Sequence, residues 1–101
     1  MDRVEQRRKI FEHFGLETQL EKLNEELHEL IDALKDASEQ YPDRPDKVLR
    51  HPFVTDEAGD VLVLLKQLLE NDEMFRAMVA DSMFRKEKRT LHRMETGYYN
   101  E

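Results

Sequence analysis

The sequence contains no cysteine and no tryptophan, and only three glycines and three prolines among its 101 residues. Without cysteine the chain can form neither a disulfide nor a thiolate metal site, and it offers no cysteine nucleophile. So few glycines and prolines leave little material for tight turns, which argues against a fold built from many short strands. No apolar run approaches the roughly 18 residues of a membrane span. We therefore expect no interaction with a membrane.

Charge is abundant and unbalanced in this chain. Charged residues form 39% of it, as many as the apolar residues, and the formal net charge is −7. An average domain carries roughly 25% charged residues. The negative balance argues against binding nucleic acid or an anionic surface. Charged residues follow Met1 directly, so we expect no secretory signal and a cytoplasmic location.

The apolar residues follow a helical period almost throughout. We predict an all-α protein, an antiparallel bundle of three to four helices that forms a single domain over residues 1–101. The first helix is predicted over residues 4–14 and ends at Gly15. No strand pattern is present, so nothing in the sequence competes with the helical interpretation.

A capping box and a leucine stripe define the second predicted helix. Thr18 and Glu21 form the capping box that opens it, and it continues to about Ser38. Its leucines recur at spacings of 4, 3, 4, 3 and 4 residues, which places them on one side of the helix. Ile31 widens this leucine stripe, whose members are Leu16, Leu20, Leu23, Leu27, Leu30 and Leu34.

The prolines separate the first half of the chain from the second. All three lie in residues 39–54, which we predict to be a Pro-rich loop. Thr55 is the predicted N-cap of the next helix, which continues to about Glu70. A last helix is capped near Asp72 and ends near Thr96, and residues 97–101 form a short tail.

Two pairs of acidic residues carry the strongest functional signal: Glu26 with Glu29, and Glu57 with Asp60. Residues three apart on a helix lie close together, so the two carboxylates of each pair can reach one point. Glu57 and Asp60 continue the line of the apolar residues of their helix, and the other pair lies beside the leucine stripe. We therefore expect the pairs to face each other near the core, where like charges are costly. A cation resolves this conflict, and carboxylate ligands favour Mg²⁺, with Mn²⁺ as the alternative, over Zn²⁺.

Chance and the helix dipole are alternative reasons for these acids. Acidic residues three apart arise by chance in a chain with 23 of them, and the first turn of a helix favours acids. Gly59, between Glu57 and Asp60, favours the functional interpretation. Glycine inside a helix costs about 1 kcal/mol relative to alanine, and a close packing partner or ligand is a common reason to keep one.

Three cations near the C-terminus form a second candidate site. Lys86, Arg89 and Arg93 are spaced by three and four residues, so they share one helical face. Guanidinium groups pair well with phosphate oxygens, and lysine adds a point charge. We interpret these three as phosphate-binding residues. The alternative is a solvated face that complements the helix dipole.

The order of the acidic motifs resembles one enzyme family. Glu-Leu-His-Glu at 26–29 and Glu-Ala-Gly-Asp at 57–60 match the E-x-x-E and E-x-x-D signature of the MazG-like, all-α nucleoside triphosphate pyrophosphohydrolases. The resemblance covers about residues 20–99, and the basic end at 86–99 is similar to that of short, phage-associated members. The Pro-rich spacer departs from the family pattern.

The resemblance implies Mg²⁺-dependent hydrolysis of a nucleoside triphosphate between its α and β phosphates, giving a monophosphate and pyrophosphate. Glu26, Glu29, Glu57 and Asp60 would then be the metal ligands and catalytic residues, and one of them would accept the proton of the attacking water. The sequence does not indicate which one.

Two alternatives remain beside this enzyme. One is a phosphoribosyl-ATP pyrophosphohydrolase, which is similar in fold and chemistry. The other is a non-catalytic helical adaptor that dimerises through the leucine stripe. For the enzyme we expect a homodimer or homotetramer, because so small and polar a chain buries more surface by association.

Overall fold

The computed structural model describes residues 1–97, and it is all-helical. Helix accounts for 88% of these residues, and none of them forms a strand. This confirms the predicted all-α class, although the described residues form five helices and not three or four. They are α1 (Arg3–Phe14), α2 (Leu16–Gln40), α3 (Pro45–Leu49), α4 (Pro52–Asn71) and α5 (Glu73–Glu95). No helix within the described residues is both long and apolar enough to cross a membrane.

The ends of α1 follow from local chemistry. The Asp2 side chain accepts a hydrogen bond from the Glu5 backbone N–H at 2.8 Å and caps the N-terminus. Gly15 ends the helix with φ +85°, a conformation that side chains disfavour, and its N–H donates to the Phe11 carbonyl. The same glycine is the N-cap residue of α2. The predicted capping box at Thr18 is therefore wrong, because the helix already begins at Leu16.

The predicted Pro-rich loop over residues 39–54 is also wrong. Helix α2 continues through Gln40, and α3 occupies part of the segment. Two of the prolines open helices: Pro45 begins α3 and Pro52 begins α4. Proline is well suited to a first helical position, because its N–H would be unpaired there and its φ is already helical. Thr55 is consequently not an N-cap; its hydroxyl donates to the Pro52 carbonyl within the first turn.

The described residues divide into two compact units, residues 1–71 and the residues from Asp72 onward. In the first unit α2 and α4 form the largest interface, and α1 and α3 pack against both of these helices. The apolar core is small. It consists of Ala37, Val54, Val61, Leu64 and Leu68, each at most 6% exposed. A bidentate ion pair between Arg7 of α1 and Glu70 of α4 joins the ends of this unit.

In the second unit α5 begins at the predicted cap, because the Asp72 side chain accepts from the Phe75 N–H at 2.8 Å. None of the residues of α5 is buried. Gly97 follows this helix with φ +76°. The rest of the predicted tail, residues 98–101, lies outside the described residues. A single domain over residues 1–101 stays a prediction.

The side of α2 that packs inward overlaps the leucine stripe only at Leu23 and Leu30. The buried residues are Gln19, Glu26 and Ala37, with Leu23, Leu30 and Ala33 partly buried beside them. At about 100° per residue, this inner face is centred near Glu26, roughly a quarter turn from Leu27. Most of the leucine stripe is exposed, with Leu16 at 50% and Ile31 at 60%. The inner face of α2 thus includes two buried polar residues among apolar ones, while most of the leucine stripe is exposed.

Candidate metal centre

Helices α2 and α4, which form the main interface of the first unit, each contribute one acidic pair. Glu26 and Glu29 lie in the middle of α2, and Glu57 and Asp60 lie in the second and third turns of α4. Because α4 begins at Pro52, its first turn contains no acidic residue. The helix dipole acts mainly within the first turn, so it does not explain why α4 has acids at these positions.

Three of the four predicted carboxylates converge. Single oxygens of Glu26, Glu57 and Asp60 all lie within 4.8 Å of one another. Glu29, which like Asp60 is exposed, stands beside them, close enough to raise the pKa values of both Glu26 and Glu57. We call these four residues the carboxylate cluster. The expectation that the two pairs face each other therefore agrees with the geometry; their roles as ligands and catalysts remain predictions.

The cluster is short of hydrogen-bond donors. Glu26 is 9% exposed, and its Oε2 is buried without a donor, as is Oε2 of Glu57. Within residues 1–71, Lys22 is the one cation whose ion pair reaches the cluster, with its Nζ 4.0 Å from Glu26 Oε1. This lysine is mostly exposed, so solvent screens much of its charge. A buried polar atom without a partner costs about 1–3 kcal/mol, and more when it is charged.

Two acids of the cluster, Glu26 and Glu57, have raised pKa values. Burial, followed by the adjacent Glu29, Asp60 and Glu57, raises the pKa of Glu26 from 4.5 to about 7. Burial and the neighbouring Glu29 and Asp60 also raise the pKa of Glu57, and the nearby Glu26 opposes this shift in part. Glu26 and Glu57 therefore keep their protons to a higher pH than isolated carboxyl groups do.

The residues present fit a hard divalent cation. Every candidate ligand atom is a carboxylate oxygen, the donor type preferred by Mg²⁺ and Mn²⁺. The buried oxygens of Glu26 and Glu57 lack any other partner, and a cation would also relieve the repulsion that raises their pKa values. Glu26, Glu57 and Asp60 would hold it, with Glu29 beside them.

Gly59 has no close neighbour that explains it. A Cβ atom built on this residue would meet nothing within 4 Å. The sequence-based interpretation of a close packing partner is therefore wrong within the described residues. Gly59 leaves an exposed, open stretch of α4 directly before Asp60.

The three predicted phosphate-binding cations lie on α5, in the second unit. Lys86 and Arg89 are exposed and Arg93 is partly buried. Their spacing of three and four residues within one continuous helix places them on the same face, as predicted. Their role in binding phosphate stays a prediction.

Two buried polar residues near the cluster were not predicted from the sequence. Gln19 and Gln67 are 2% and 1% exposed, and Gln19 Nε2 donates to Gln67 Oε1 at 2.7 Å between α2 and α4. Each lies seven residues from an acid of the cluster, Gln19 before Glu26 and Gln67 after Asp60. That spacing, two turns along the same face, was the only available signal. Both line a cavity of about 410 Å³ that also borders Glu26 and Asp60.

Comparisons of this chain with protein-family models, with curated proteins and with solved structures find no match. The resemblance to the MazG-like pyrophosphohydrolases therefore rests on the acidic residues and on their order in the sequence.

Proposed function

We propose that this protein is a Mg²⁺-dependent nucleotide pyrophosphohydrolase that cleaves a ribo- or deoxyribonucleoside triphosphate between its α and β phosphates. The observation that carries the proposal is the convergence of Glu26, Glu57 and Asp60 within 4.8 Å at the edge of a cavity. The partnerless buried oxygens of two of these acids support it. A structural role alone would not require three acids of two helices to share one point without a matching cation.

The chain's own residues would divide the work as follows. Glu26, Glu57 and Asp60 would hold the cation, and a carboxylate of the cluster would accept the proton of the attacking water. When bound, Mg²⁺ would neutralise phosphate charge and lower the pKa of a water molecule. Attack at phosphorus breaks the bond to the oxygen that bridges the α and β phosphates. The monophosphate and pyrophosphate then leave.

Lys86, Arg89 and Arg93 are the proposed phosphate contacts that lie outside the cluster. We propose this role from their chemistry and their shared face on α5 alone, because guanidinium and ammonium groups pair with phosphate oxygens. Such a nucleotide substrate is consistent with a cytoplasmic location.

The exposed leucine stripe supports association of the proposed enzyme into a homodimer or homotetramer. Leu16, Leu27 and Ile31 are each more than 40% exposed on α2, and contiguous apolar patches usually mark contact sites. The same observation favours the second candidate function, a non-catalytic adaptor that dimerises through this stripe. The adaptor gives no reason for the convergence of the carboxylate cluster.

Pyrophosphate release from a panel of ribo- and deoxyribonucleoside triphosphates and phosphoribosyl-ATP, with Mg²⁺ or with EDTA, tests the proposal. We expect Mg²⁺-dependent release of pyrophosphate together with a monophosphate. Asp60→Asn should lower kcat/KM by at least about a hundredfold. Asp56→Asn is the matched control, because Asp56 is an exposed acid of the same helix outside the cluster, and its activity should stay within about twofold of the original.

Each outcome of the panel has a consequence. Activity on phosphoribosyl-ATP alone would assign the related pyrophosphohydrolase. Folded protein that is silent on every substrate would contradict the enzyme and favour the adaptor. Equal losses in Asp56→Asn and Asp60→Asn would contradict the assignment of the site.

A further inference from the structure

The cavity beside the carboxylate cluster has two chemically different ends. It lies within the first unit, between α1, α2 and α4. Glu26 and Asp60 border one end, and the buried pair Gln19 and Gln67 borders the other. The walls include apolar side chains of α1 and α4, namely Ile10, Phe14, Val63 and Leu64. A volume of about 410 Å³ lies within the range of small-molecule pockets.

The spacing of the two ends is set by the helices. Gln19 precedes Glu26 by seven residues on α2, and Asp60 precedes Gln67 by seven residues on α4. Seven residues are almost two turns, about 10.5 Å along the axis. Two helices thus carry the same pair of functional groups at the same separation. That separation is comparable to the length of a nucleoside from the outer edge of its base to its 5′ oxygen.

The glutamine pair is incompletely satisfied. Both side chains are at least 98% buried, and one hydrogen bond of 2.7 Å joins them. Oε1 of Gln19 is buried and has no donor. A primary amide offers both an acceptor and two donors, so this pair can match a ring edge that presents N–H and C=O groups side by side. Buried polar groups that are left with free hydrogen-bonding capacity give strong discrimination between ligands.

We propose that this cavity binds the base of the substrate nucleotide and that Gln19 and Gln67 recognise the hydrogen-bonding edge of that base. The inference rests on the proposed function for the phosphate end, because the carboxylate cluster fixes the direction in which the nucleotide lies. Phe14, which is 53% exposed, offers an aromatic face to a planar ring. The glutamines are specificity-determining residues in this proposal and take no part in bond cleavage.

The variant that tests the proposal is the double substitution Gln19→Met with Gln67→Met. Replacing both partners of a hydrogen bond by apolar groups of similar shape is far less disruptive than removing one. We expect the ratio of kcat/KM between the best and worst bases to fall from at least about tenfold to within about threefold. kcat/KM for the worst base should change less than about threefold, which a general loss of folding would not allow. Gln6→Met, at an exposed glutamine of α1, is the control and should leave the ratio unchanged.

A second measurement uses the unsubstituted protein and does not depend on catalysis. Nucleosides without phosphate are added at millimolar concentration in EDTA, and methyl NMR signals are recorded. Signals of Ile10, Val63 and Leu64 should shift, whereas those of Val48 on α3, which does not line this cavity, should not. This readout remains available if the double variant fails to fold.

The two measurements separate this inference from the proposed function. Nucleoside-dependent shifts without any pyrophosphate release would support the base site and contradict the hydrolase. Hydrolysis with base ratios unchanged in the folded double variant would overturn the base site and leave the hydrolase standing. Absence of both methyl shifts and base discrimination would show that the glutamine pair is only a hydrogen bond between helices.

Discussion

Replacing Glu26 by glutamine should stabilise the protein at pH 8 in the absence of divalent cations. Burial and the neighbouring carboxyls raise the pKa of Glu26 from 4.5 to about 7. Between these values the folded chain keeps a proton that the unfolded chain has released, so folding becomes less favourable as pH rises. The stability contributed by protonated Glu26 is fully present below pH 4.5 and is lost as pH rises through about 7. At about 1.4 kcal/mol per pH unit, the loss is at most about 3.5 kcal/mol.

Glutamine has nearly the shape of a protonated glutamate and cannot ionise. Glu26→Gln should therefore match the original protein near pH 4.5 and exceed its stability at pH 8 by up to about 3.5 kcal/mol, which corresponds to roughly 14–28 °C in Tm. Thermal unfolding in EDTA from pH 4.5 to 8.5 measures this, at one protein concentration because association also shifts Tm. Glu25→Gln is the control, since Glu25 is exposed on α2, and it should leave the pH dependence unchanged.

Mg²⁺ should make the original protein more stable than Glu26→Gln at pH 8. At pH 8 the cation would stabilise the original protein through the ionised cluster, and Glu26→Gln would lose most of this effect. A stability difference that is constant across the pH range would contradict the assigned pKa. A variant that is less stable at pH 8 in EDTA would refute the reasoning that ionised Glu26 opposes folding.

Three further predictions concern stability and assembly. Gly59→Ala should raise the free energy of unfolding in urea by up to about 1 kcal/mol, because an added methyl group meets open space. A lower free energy of unfolding would contradict the conclusion that nothing packs against Gly59. Arg7→Met should lower the free energy of unfolding by about 1–2 kcal/mol at pH 7. Arg7 holds the pKa of Glu70 below its ordinary 4.5, so this difference should be lost in acid unfolding curves as pH falls below about 4.5. Ile31→Lys, on the exposed leucine stripe, should turn an oligomer into a monomer in sedimentation at micromolar concentration; an unchanged mass would exclude this surface as the interface.

The helices were predictable because their signals are local. The N-terminal helix, the glycine after it and the Asp72 cap each depend on a few neighbouring residues, and each is present. The errors arose where two local rules competed. Proline breaks a helix in its interior but opens one at its first position, and residues 39–54 contain the second case twice. Thr18 does not open the second helix, because Gly15 with its positive φ already separates the first two helices.

The candidate site was partly predictable for a related reason. The spacing of the acids fixes which residues share a helical face, and the line of apolar residues on the later helix placed Glu57 and Asp60 toward the earlier helix, although Asp60 stays exposed. The partnership of Gln19 with Gln67 depends on how α2 and α4 align, which no local pattern contains. The leucine periodicity was also misleading about burial, because it identifies an apolar face without indicating whether the same chain covers it.

The buried polar residues and the exposed leucine stripe of α2 are connected through packing. The inner face carries Gln19 and Glu26, the residues that we propose contact a base and a cation, and these side chains occupy space that apolar residues would otherwise fill. The first unit of 71 residues is consequently left with a core of only five buried apolar side chains. Small domains bury a limited fraction of their surface. A chain whose interior contains polar residues therefore gains stability from apolar contacts elsewhere. A second copy packed on the leucine stripe would provide them. Assembly would then compensate for the site, because contacts on the leucine stripe would offset the stability lost by placing Gln19 and Glu26 in the interior.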